Sequence, residues 1–210
     1  MPSPSSGLTQ PQRLEISGRR LVQAAAELIA EKGWEATTAA EIGRRAGYSR
    51  AMVHARYGSK DAILETLFKN EYEKRLNPDP NPDASGLQQA LAHFDRIQEL
   101  YVEDRDFLQA MFVMSFEAAK NTSPLRRRMR TWLQRGAGVV ETGLRNGIRD
   151  GSVRNDIDVE RAVNDVSAAV FGLAYQWVVL ANRYDLAREL KYVRARIIRD
   201  YGSDAPESDT

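Results

Sequence analysis

Apolar residues recur along most of the chain at the spacing of one face of an α-helix. In the first long segment, Leu21, Ala25 and Leu28 follow the i, i+4, i+7 pattern. Near the other end, Leu186 and Leu190 repeat the four-residue spacing. The sequence shows no segment with the period-two alternation of a strand. It therefore predicts an all-α protein.

Four helices are predicted in the first third of the chain. Gly33 stops the first of them, because glycine adopts the left-handed conformation that ends a helix. Ser59 caps the fourth, which links this region to the rest of the protein. The predicted spans are Arg13 or Ser17 to Lys32, Thr38 to Ala46, Arg50 to Tyr57, and Ser59 to about Leu76.

Five more helices are predicted in the remainder of the chain. The third of these contains four glycines, each of which costs about 1 kcal/mol relative to alanine in a helix. Such a run indicates a kink, a close approach of another helix, or a hinge. The predicted spans are 85–103, 107–120, 124–149, 156 or 158 to 182, and 185–201; the glycines are Gly136, Gly138, Gly143 and Gly147.

The stretch NPDPNPDASG, residues 77–86, separates two predicted domains, because three prolines within five residues exclude a helix. We expect an N-terminal domain at 13–76, which includes the linking helix, and a larger helical domain at 85–201. The segments 1–12 and 202–210 are rich in Ser, Pro, Gly and acidic residues and are expected to be disordered tails. The start of the chain shows no apolar signal region, so we expect a cytoplasmic protein.

The stretch from Thr37 to Lys60 contains the start and stop signals of two short helices joined by a tight turn. Thr38 and Glu41 have the spacing of a capping box at the start of the first helix. Gly47 is placed to end that helix, and Ser49 is placed to cap the next one. This arrangement predicts a helix-turn-helix, in which the second helix enters the major groove of DNA.

Charge is concentrated in the same stretch, although the whole chain carries a formal net charge of only +1. Up to Leu76 the chain has twelve Lys and Arg against nine Asp and Glu, and the remainder has eighteen against twenty. A local cationic excess is what a phosphate backbone requires. From Ala40 to Lys60 the cations are Arg44, Arg45, Arg50, Arg56 and Lys60, against a single Glu41.

Composition makes several other functions improbable. The chain has no cysteine, which excludes disulfides and thiolate chemistry, and with only two histidines a metal site is not expected. His54 is not accompanied by a carboxylate or nucleophile pattern, so we expect no catalytic role. His93 is expected to line a pocket or the surface. The sequence has no run of about 20 uninterrupted apolar residues, so no membrane partner is expected. It also has no cofactor-binding loop, so no cofactor is expected.

Residues 21–67 resemble the N-terminal DNA-binding region of the TetR-type transcriptional regulators. The resemblance lies in an apolar helix ending in AEKG, an aromatic residue, the pair TT, the block EI..RAG.S, and the..Y.SK that opens the next helix. It implies a three-helix DNA-binding domain followed by a divergent helical domain that binds a ligand and forms a dimer. His54, Tyr57 and Ala40 depart from the residues usual in the family, which affects individual contacts rather than the unit.

The resemblance also implies roles for residues of the stretch from Thr37 to Lys60, here called the reading unit, whose second helix is called the reading helix. Arg50, Ala51 and Met52 are expected at base edges, with Arg50 as the candidate for a bidentate contact to guanine. Val53 and Tyr57 are expected to pack inward. The residues expected to cap the reading helix or hold phosphates are Ser49, Thr38, His54, Arg56 and Lys60.

Large, flexible apolar residues in the second domain predict a cavity for a small, largely apolar effector, with tyrosine, tryptophan and Gln176 supplying a few polar groups. The alternative is that these side chains form an ordinary core. The predicted pocket residues are Phe94, Tyr101, Met111, Phe112, Met114, Phe116, Trp132, Tyr175 and Gln176.

The last two helices are predicted to form a homodimer interface. The helix before the last is apolar most of the way round, which requires burial on two faces. One face would pack on its own domain and the other on a second copy, about a two-fold axis. The predicted interface residues are Val166, Val170, Leu173, Trp177, Leu186, Leu190, Val193 and Ile197.

Together these features favour a sequence-specific DNA-binding regulator, interpreted as a homodimeric repressor that a small molecule releases from a double-stranded DNA operator. One alternative is a helical ligand-binding protein or enzyme that no longer uses its DNA-binding domain. A second is an architectural protein that binds DNA without sequence preference. The sequence contains no nucleophile, cofactor loop or carboxylate constellation that would favour an enzyme.

Overall fold

The computed structural model describes residues 9–67, 73–78, 81–120, 125–180 and 183–203, and over these residues the protein is all-α. Its single β-bridge among them joins Val153 to Gly202. Ten helices are described: α1 (Gln10–Ala36), α2 (Ala39–Ala46), α3 (Arg50–Tyr57), α4 (Lys60–Thr66), α5 (Glu73–Leu76), α6 (Gly86–Glu103), α7 (Arg105–Glu117), α8 (Leu125–Asp150), α9 (Val159–Leu180) and α10 (Leu186–Tyr201).

Helix α1 begins earlier than predicted and stops where predicted. Thr9 and Gln12 form a capping box that starts the helix at Gln10, inside the segment expected to be a disordered tail. Gly33 has a φ of 82°, so the regular helix ends before it and a short terminal turn follows. The rest of the predicted N-terminal tail, residues 1–8, lies outside the described residues.

The linking helix is described at its two ends. Ser59 caps α4, since its hydroxyl accepts a hydrogen bond from the backbone N–H of Ala62 at 3.2 Å. Leu76, where the helix was predicted to end, is the last residue of α5. Residues 68–72 lie outside the described residues, so a continuous helix between α4 and α5 stays a prediction.

The second domain follows the predicted helices with small shifts at their ends. Ser85 caps α6 with a capping box that includes Gln88, and Asp185 caps α10. Helix α7 begins at Arg105 rather than at Phe107, because Asp104 caps it. Ser123 and Pro124, the predicted start of α8, lie outside the described residues. Gly202 and Ser203, expected in a tail, are hydrogen-bonded to the end of α10 and to Ser152.

The glycines of α8 separate into two kinds. A Cβ built on Gly143 would lie 2.4 Å from the backbone nitrogen of Ala90, and one built on Gly86 would lie 1.9 Å from that of Gly147. Of the three explanations for these glycines, a kink, a close approach of another helix or a hinge, the close approach applies to the second half of α8, where α6 is the neighbour. A Cβ on Gly136 would meet no atom within 4 Å.

Helices α1 and α4 contribute residues to two apolar cores. The smaller lies beneath the helix-turn-helix and includes Leu21, Ile42 and Val53. The larger fills the second domain and takes in Ile29 of α1 and Leu64 of α4. Helix α1 therefore packs on the reading unit with one side and on α7 of the second domain with another.

Candidate nucleic-acid interface

Helices α2 and α3 form the predicted helix-turn-helix. Thr38 and Glu41 make the complete capping box at the start of α2. Gly47 ends α2 in the left-handed region, with a φ of 79°. The hydroxyl of Ser49 accepts a hydrogen bond from the backbone N–H of Met52 at 3.2 Å, so Ser49 caps α3 as expected. Local signals in the sequence thus place both helix ends correctly.

The packing of α3 decides which of its residues face solvent. Val53 is buried, and its Cγ2 would lie 2.9 Å from a Cβ on Gly43, so the two helices meet at a glycine. Arg50 and Ala51 are exposed and Met52 is half-buried. The N-terminal end of the reading helix is therefore presented outward, as expected, and Tyr57 packs against the small core.

Ion pairs with α1 neutralise one cation and the single acidic residue of the unit. Arg45 contacts Glu31 at 2.7 Å and Glu27 at 3.3 Å, and these hydrogen bonds raise the pKa of Arg45 and lower that of Glu31. Lys32 contacts Glu41 at 2.6 Å. This hydrogen bond, followed by that from Thr38, lowers the pKa of Glu41 to about 2.

Two residues expected at phosphates already have partners in the protein. The guanidinium of Arg56 donates a hydrogen bond of 3.0 Å to the hydroxyl of Ser17, which is buried. The Nζ of Lys60 donates to the carbonyl oxygen of Trp34 at 2.5 Å and lies 4.2 Å from the centre of its ring. Burial lowers the pKa of Lys60. Both side chains therefore fasten the unit to α1, which the sequence could not reveal because these contacts span 26 or more residues.

Arg44 was not among the predicted DNA contacts, although it was counted with the cations. It is exposed in the last turn of α2 and forms no ion pair with any residue that the structure describes. Arg50 at the start of α3 is likewise exposed and forms no ion pair with the described residues. His54 and Thr38 are also exposed. Among the described residues, the exposed cations of α2 and α3 that form no ion pair are therefore Arg44 and Arg50, since Arg45 is paired with Glu27 and Glu31.

Most of the predicted effector residues form a tightly packed aromatic cluster. Phe94, Met111 and Met114 are buried. Tyr101, Phe116 and Trp132 are half-buried against them. The ring centres lie 5.4–6.4 Å apart in the pairs Tyr101 with Trp177, Phe112 with Phe116, Phe171 and Trp177, Phe116 with Tyr175, and Trp132 with Phe171.

Two of the predicted effector residues are exposed, although the ring of Tyr175 contacts that of Phe116 at the edge of the cluster. Tyr175 is 55% exposed and Gln176 is also exposed, on the outer side of α9. They were predicted to supply orienting polar groups to the pocket, whereas Trp177, two and one positions further along α9, is buried. One step along a helix turns a side chain by about 100°, so neighbours in sequence face different directions.

The predicted dimer residues lie on the inner side of α9 and α10. Seven of the eight are buried within one chain, and Val170 is half-buried, so these residues have almost no area to offer a second copy. Both faces of these helices carry apolar residues, and the predicted set lies on the face that the chain's own core covers. The exposed large apolar residues here are Tyr175 (55% exposed), Val179 (58%), Leu180 (45%), Tyr192 (65%) and Ile198 (37%).

Helix α9 is long and apolar enough, by length and composition alone, to cross a membrane. Only 28% of its most apolar stretch is buried inside one chain. The buried side includes Ala162, Leu173 and Ala174 and belongs to the large core. Its other side leaves an uncovered apolar surface.

An open groove of about 1250 Å³ runs along α6 and α8. Ala92 and Asp95 of α6 line one wall, and Gly138 and Val139 of α8 line the other. Arg194 of α10 also lines it and pairs with Asp95, with nitrogen–oxygen distances of 2.8 and 3.2 Å. The predicted pocket residues do not line this groove.

Comparison with known proteins agrees with the geometry of the unit. Residues 21–67 match the family described as bacterial regulatory proteins, tetR family. The fatty acid metabolism regulator protein of Bacillus subtilis (strain 168) is 22% identical over 170 residues, which cover 80% of this chain and 86% of that protein.

Solved structures show the same fold over most of the chain. FadR from Bacillus subtilis, in complex with stearoyl-CoA, superposes with a TM-score of 0.69 at 21% identity, covering 86% of this chain and 97% of that one. The SmeT–triclosan complex gives a TM-score of 0.70 at 20% identity, covering 92% and 99%. SmeT is the repressor of a multidrug efflux pump of Stenotrophomonas maltophilia. Over residues 21–67 this protein therefore matches the TetR-type family of helix-turn-helix transcriptional regulators, and over most of its length it shares their fold.

Proposed function

We propose that the protein is a homodimeric repressor that binds a roughly palindromic DNA operator and is released by a small, largely apolar effector. The outward presentation of Arg50 and Ala51, above a buried Val53, is the observation that carries the DNA-binding part. Arg50 would read a guanine, while Arg44, Thr38 and the backbone at the Ser49 cap would hold phosphates.

The dimer would form through the outer faces of α9 and α10. A single chain leaves Tyr175, Val179 and Tyr192 more than half exposed, and most of the apolar stretch of α9 is uncovered. A second copy related by a two-fold axis would cover this surface and place two reading helices about 34 to 36 Å apart, or a multiple of that distance. The protein would act in the cytoplasm.

The state of the dimer can be tested by one substitution. Val179→Glu should place a charge in the interface and yield monomers in sedimentation equilibrium. Leu133→Glu is the matched control, because Leu133 is 44% exposed on α8, outside the proposed interface. A dimer that persists in the Val179 variant would contradict this interface.

The effector would act on the reading unit through contacts between the two domains. Lys120 pairs with Glu35 at 2.9 Å, and Arg128 pairs with Glu65 of α4. The two relatives solved with stearoyl-CoA and triclosan bind ligands with large apolar parts. The effector would favour one angle of the linking helix, with a coupling of about 1–3 kcal/mol.

A fluorescence titration across salt concentrations tests the function as a whole. The protein is titrated with random duplex DNA and with fragments of its own genome. A sequence-specific regulator binds selected fragments more tightly than random duplex. Equal binding to both would favour an architectural protein, and binding to neither would favour a ligand-binding protein or enzyme without DNA function.

A further inference from the structure

Helices α6 and α8 are antiparallel and are closest near the start of α6. Gly86 meets Gly147, and one turn further along α6, Ala90 meets Gly143. The residue numbers rise along one helix while they fall along the other. Small residues at these positions bring the two backbones into near contact.

The tight contact does not extend along the whole of α8. If the register of these two contacts continues along the helices, His93 of α6 lies opposite Val140 of α8, and Ile97 lies opposite Gly136. A Cβ on Gly136 would meet no atom within 4 Å, whereas one on Gly143 would lie within 2.4 Å of α6. In this register His93 therefore lies between the tight contact at Gly143 and the open position at Gly136.

His93 carries an unsatisfied polar atom at this point. Its Nδ1 is buried and has no hydrogen-bond partner in the part of the chain that the structure describes. Burial lowers the pKa of His93, so the ring is neutral near pH 7 and has one nitrogen that donates and one that accepts. Buried polar atoms in proteins almost always have a partner, so an isolated one points to a missing ligand or water.

His93 is half-buried and lies on α6 between residues of the large core and residues of the groove. Its neighbours Phe94 and Ile97 are buried in the large core. The 1250 Å³ groove follows the outer side of the same two helices, where Ala92 and Val139 line it. His93 does not itself line the groove, so a ligand would have to pass from the groove between α6 and α8 to reach its Nδ1.

We infer that His93 anchors the effector through Nδ1, and that the effector is an apolar molecule carrying an uncharged hydroxyl group. This inference rests on the proposed effector-binding function. A hydroxyl both donates and accepts, so it satisfies Nδ1 in either tautomer of the neutral ring. A single polar group in an otherwise apolar site fixes orientation and selects against molecules that lack the matching group.

The test compares 4-octylphenol with octylbenzene, which differ only in the hydroxyl. Binding to the full chain is followed by the fluorescence of its tryptophans, which include Trp132 and Trp177 near the aromatic cluster. The wild-type protein should bind the phenol at least about tenfold more tightly, because octylbenzene leaves Nδ1 unpaired. His93→Leu should abolish this preference without weakening the binding of octylbenzene.

Two further variants serve as a conservative replacement and as a control. His93→Asn retains a polar atom at the position of Nδ1 and should keep most of the preference. His54→Leu is the matched control on the exposed reading helix and should leave the preference unchanged. Thermal unfolding should show that His93→Leu is at least as stable as the wild type, because it removes an unsatisfied polar atom.

The outcomes separate this inference from the proposed function. A His93→Leu protein that retains the preference of the wild type overturns the anchor. Equal binding of both probes by the wild type also overturns it, while leaving the second domain as an effector site. If neither probe binds nor changes the affinity for DNA, the anchor and the apolar effector both fail.

Discussion

The backbone N–H of Trp34 donates a hydrogen bond of 2.7 Å to the carboxylate of Glu117, 83 residues further along the chain. The carbonyl oxygen of Trp34 accepts from Lys60 at the start of α4. Glu117 ends α7, the helix that carries Met111 and Phe112 of the aromatic cluster. A displacement of α7 would therefore reach the first turn of the linking helix through one residue.

Glu117→Ala should lower the free energy of unfolding by about 1–3 kcal/mol, because the Trp34 N–H loses its acceptor. Urea unfolding measures the change. Glu117→Gln keeps an oxygen that accepts the hydrogen bond and should lose less than half as much. Equal losses in the two variants would show that the hydrogen bond is not the cause.

Arg50→Ala should reduce the discrimination between the preferred operator and its single-base variants by about 1–3 kcal/mol, because a base contact is lost. Arg44→Ala should instead weaken binding to all sequences alike and reduce the salt slope by about 1. Titration of both variants with an operator series at several salt concentrations distinguishes the two roles. A change of preferred sequence in the Arg44 variant would contradict this division.

The pairing of Glu41 predicts a pH dependence. Its pKa falls from 4.5 to about 2 in the folded protein, chiefly through the hydrogen bond from Lys32. Because the folded pKa is the lower one, the stabilisation is fully present above 4.5 and is lost as the pH falls towards 2. Glu41→Gln should remove this contribution, so the difference in unfolding free energy between wild type and variant should shrink from pH 5 to pH 2. A difference that is constant with pH would refute the pairing.

Two glycines of α8 should respond in opposite ways to alanine. Gly143→Ala places a methyl group against the backbone of Ala90 and should cost about 1–3 kcal/mol of stability through overpacking. Gly136→Ala meets open space and should gain up to about 1 kcal/mol from helix propensity. Thermal unfolding of both variants, with identical helix content by circular dichroism, checks the pair. Destabilisation by Gly136→Ala would show that a methyl group at position 136 does not meet open space.

The features that the sequence predicted well are those set by nearby residues. Thr38, Ser49 and Asp185 cap their helices within three residues, and Gly47 ends α2 by its own conformation. These signals depend on the local chain and need no knowledge of packing. The helix-turn-helix was predictable for this reason.

The features that it missed depend on distant partners. Lys60 and Arg56 are cations in a basic stretch, and only the folded chain shows that α1 supplies Trp34 and Ser17 to them. The inner and outer faces of α9 are both apolar, so periodicity alone could not decide which one belongs to the chain's own core. The unpaired nitrogen of His93 could be found only from its burial.

Because α1 packs on both cores, it limits which segments of the protein can be exchanged with those of another protein. Leu21 and Leu28 belong to the core beneath the reading unit, while Val22 and Ile29, one position along, belong to the core of the second domain. A chimera that took its first 67 residues from another regulator would bring foreign side chains into contact with α7. Exchange of operator preference between such proteins should therefore be made at α2 and α3 alone, with the native α1 retained.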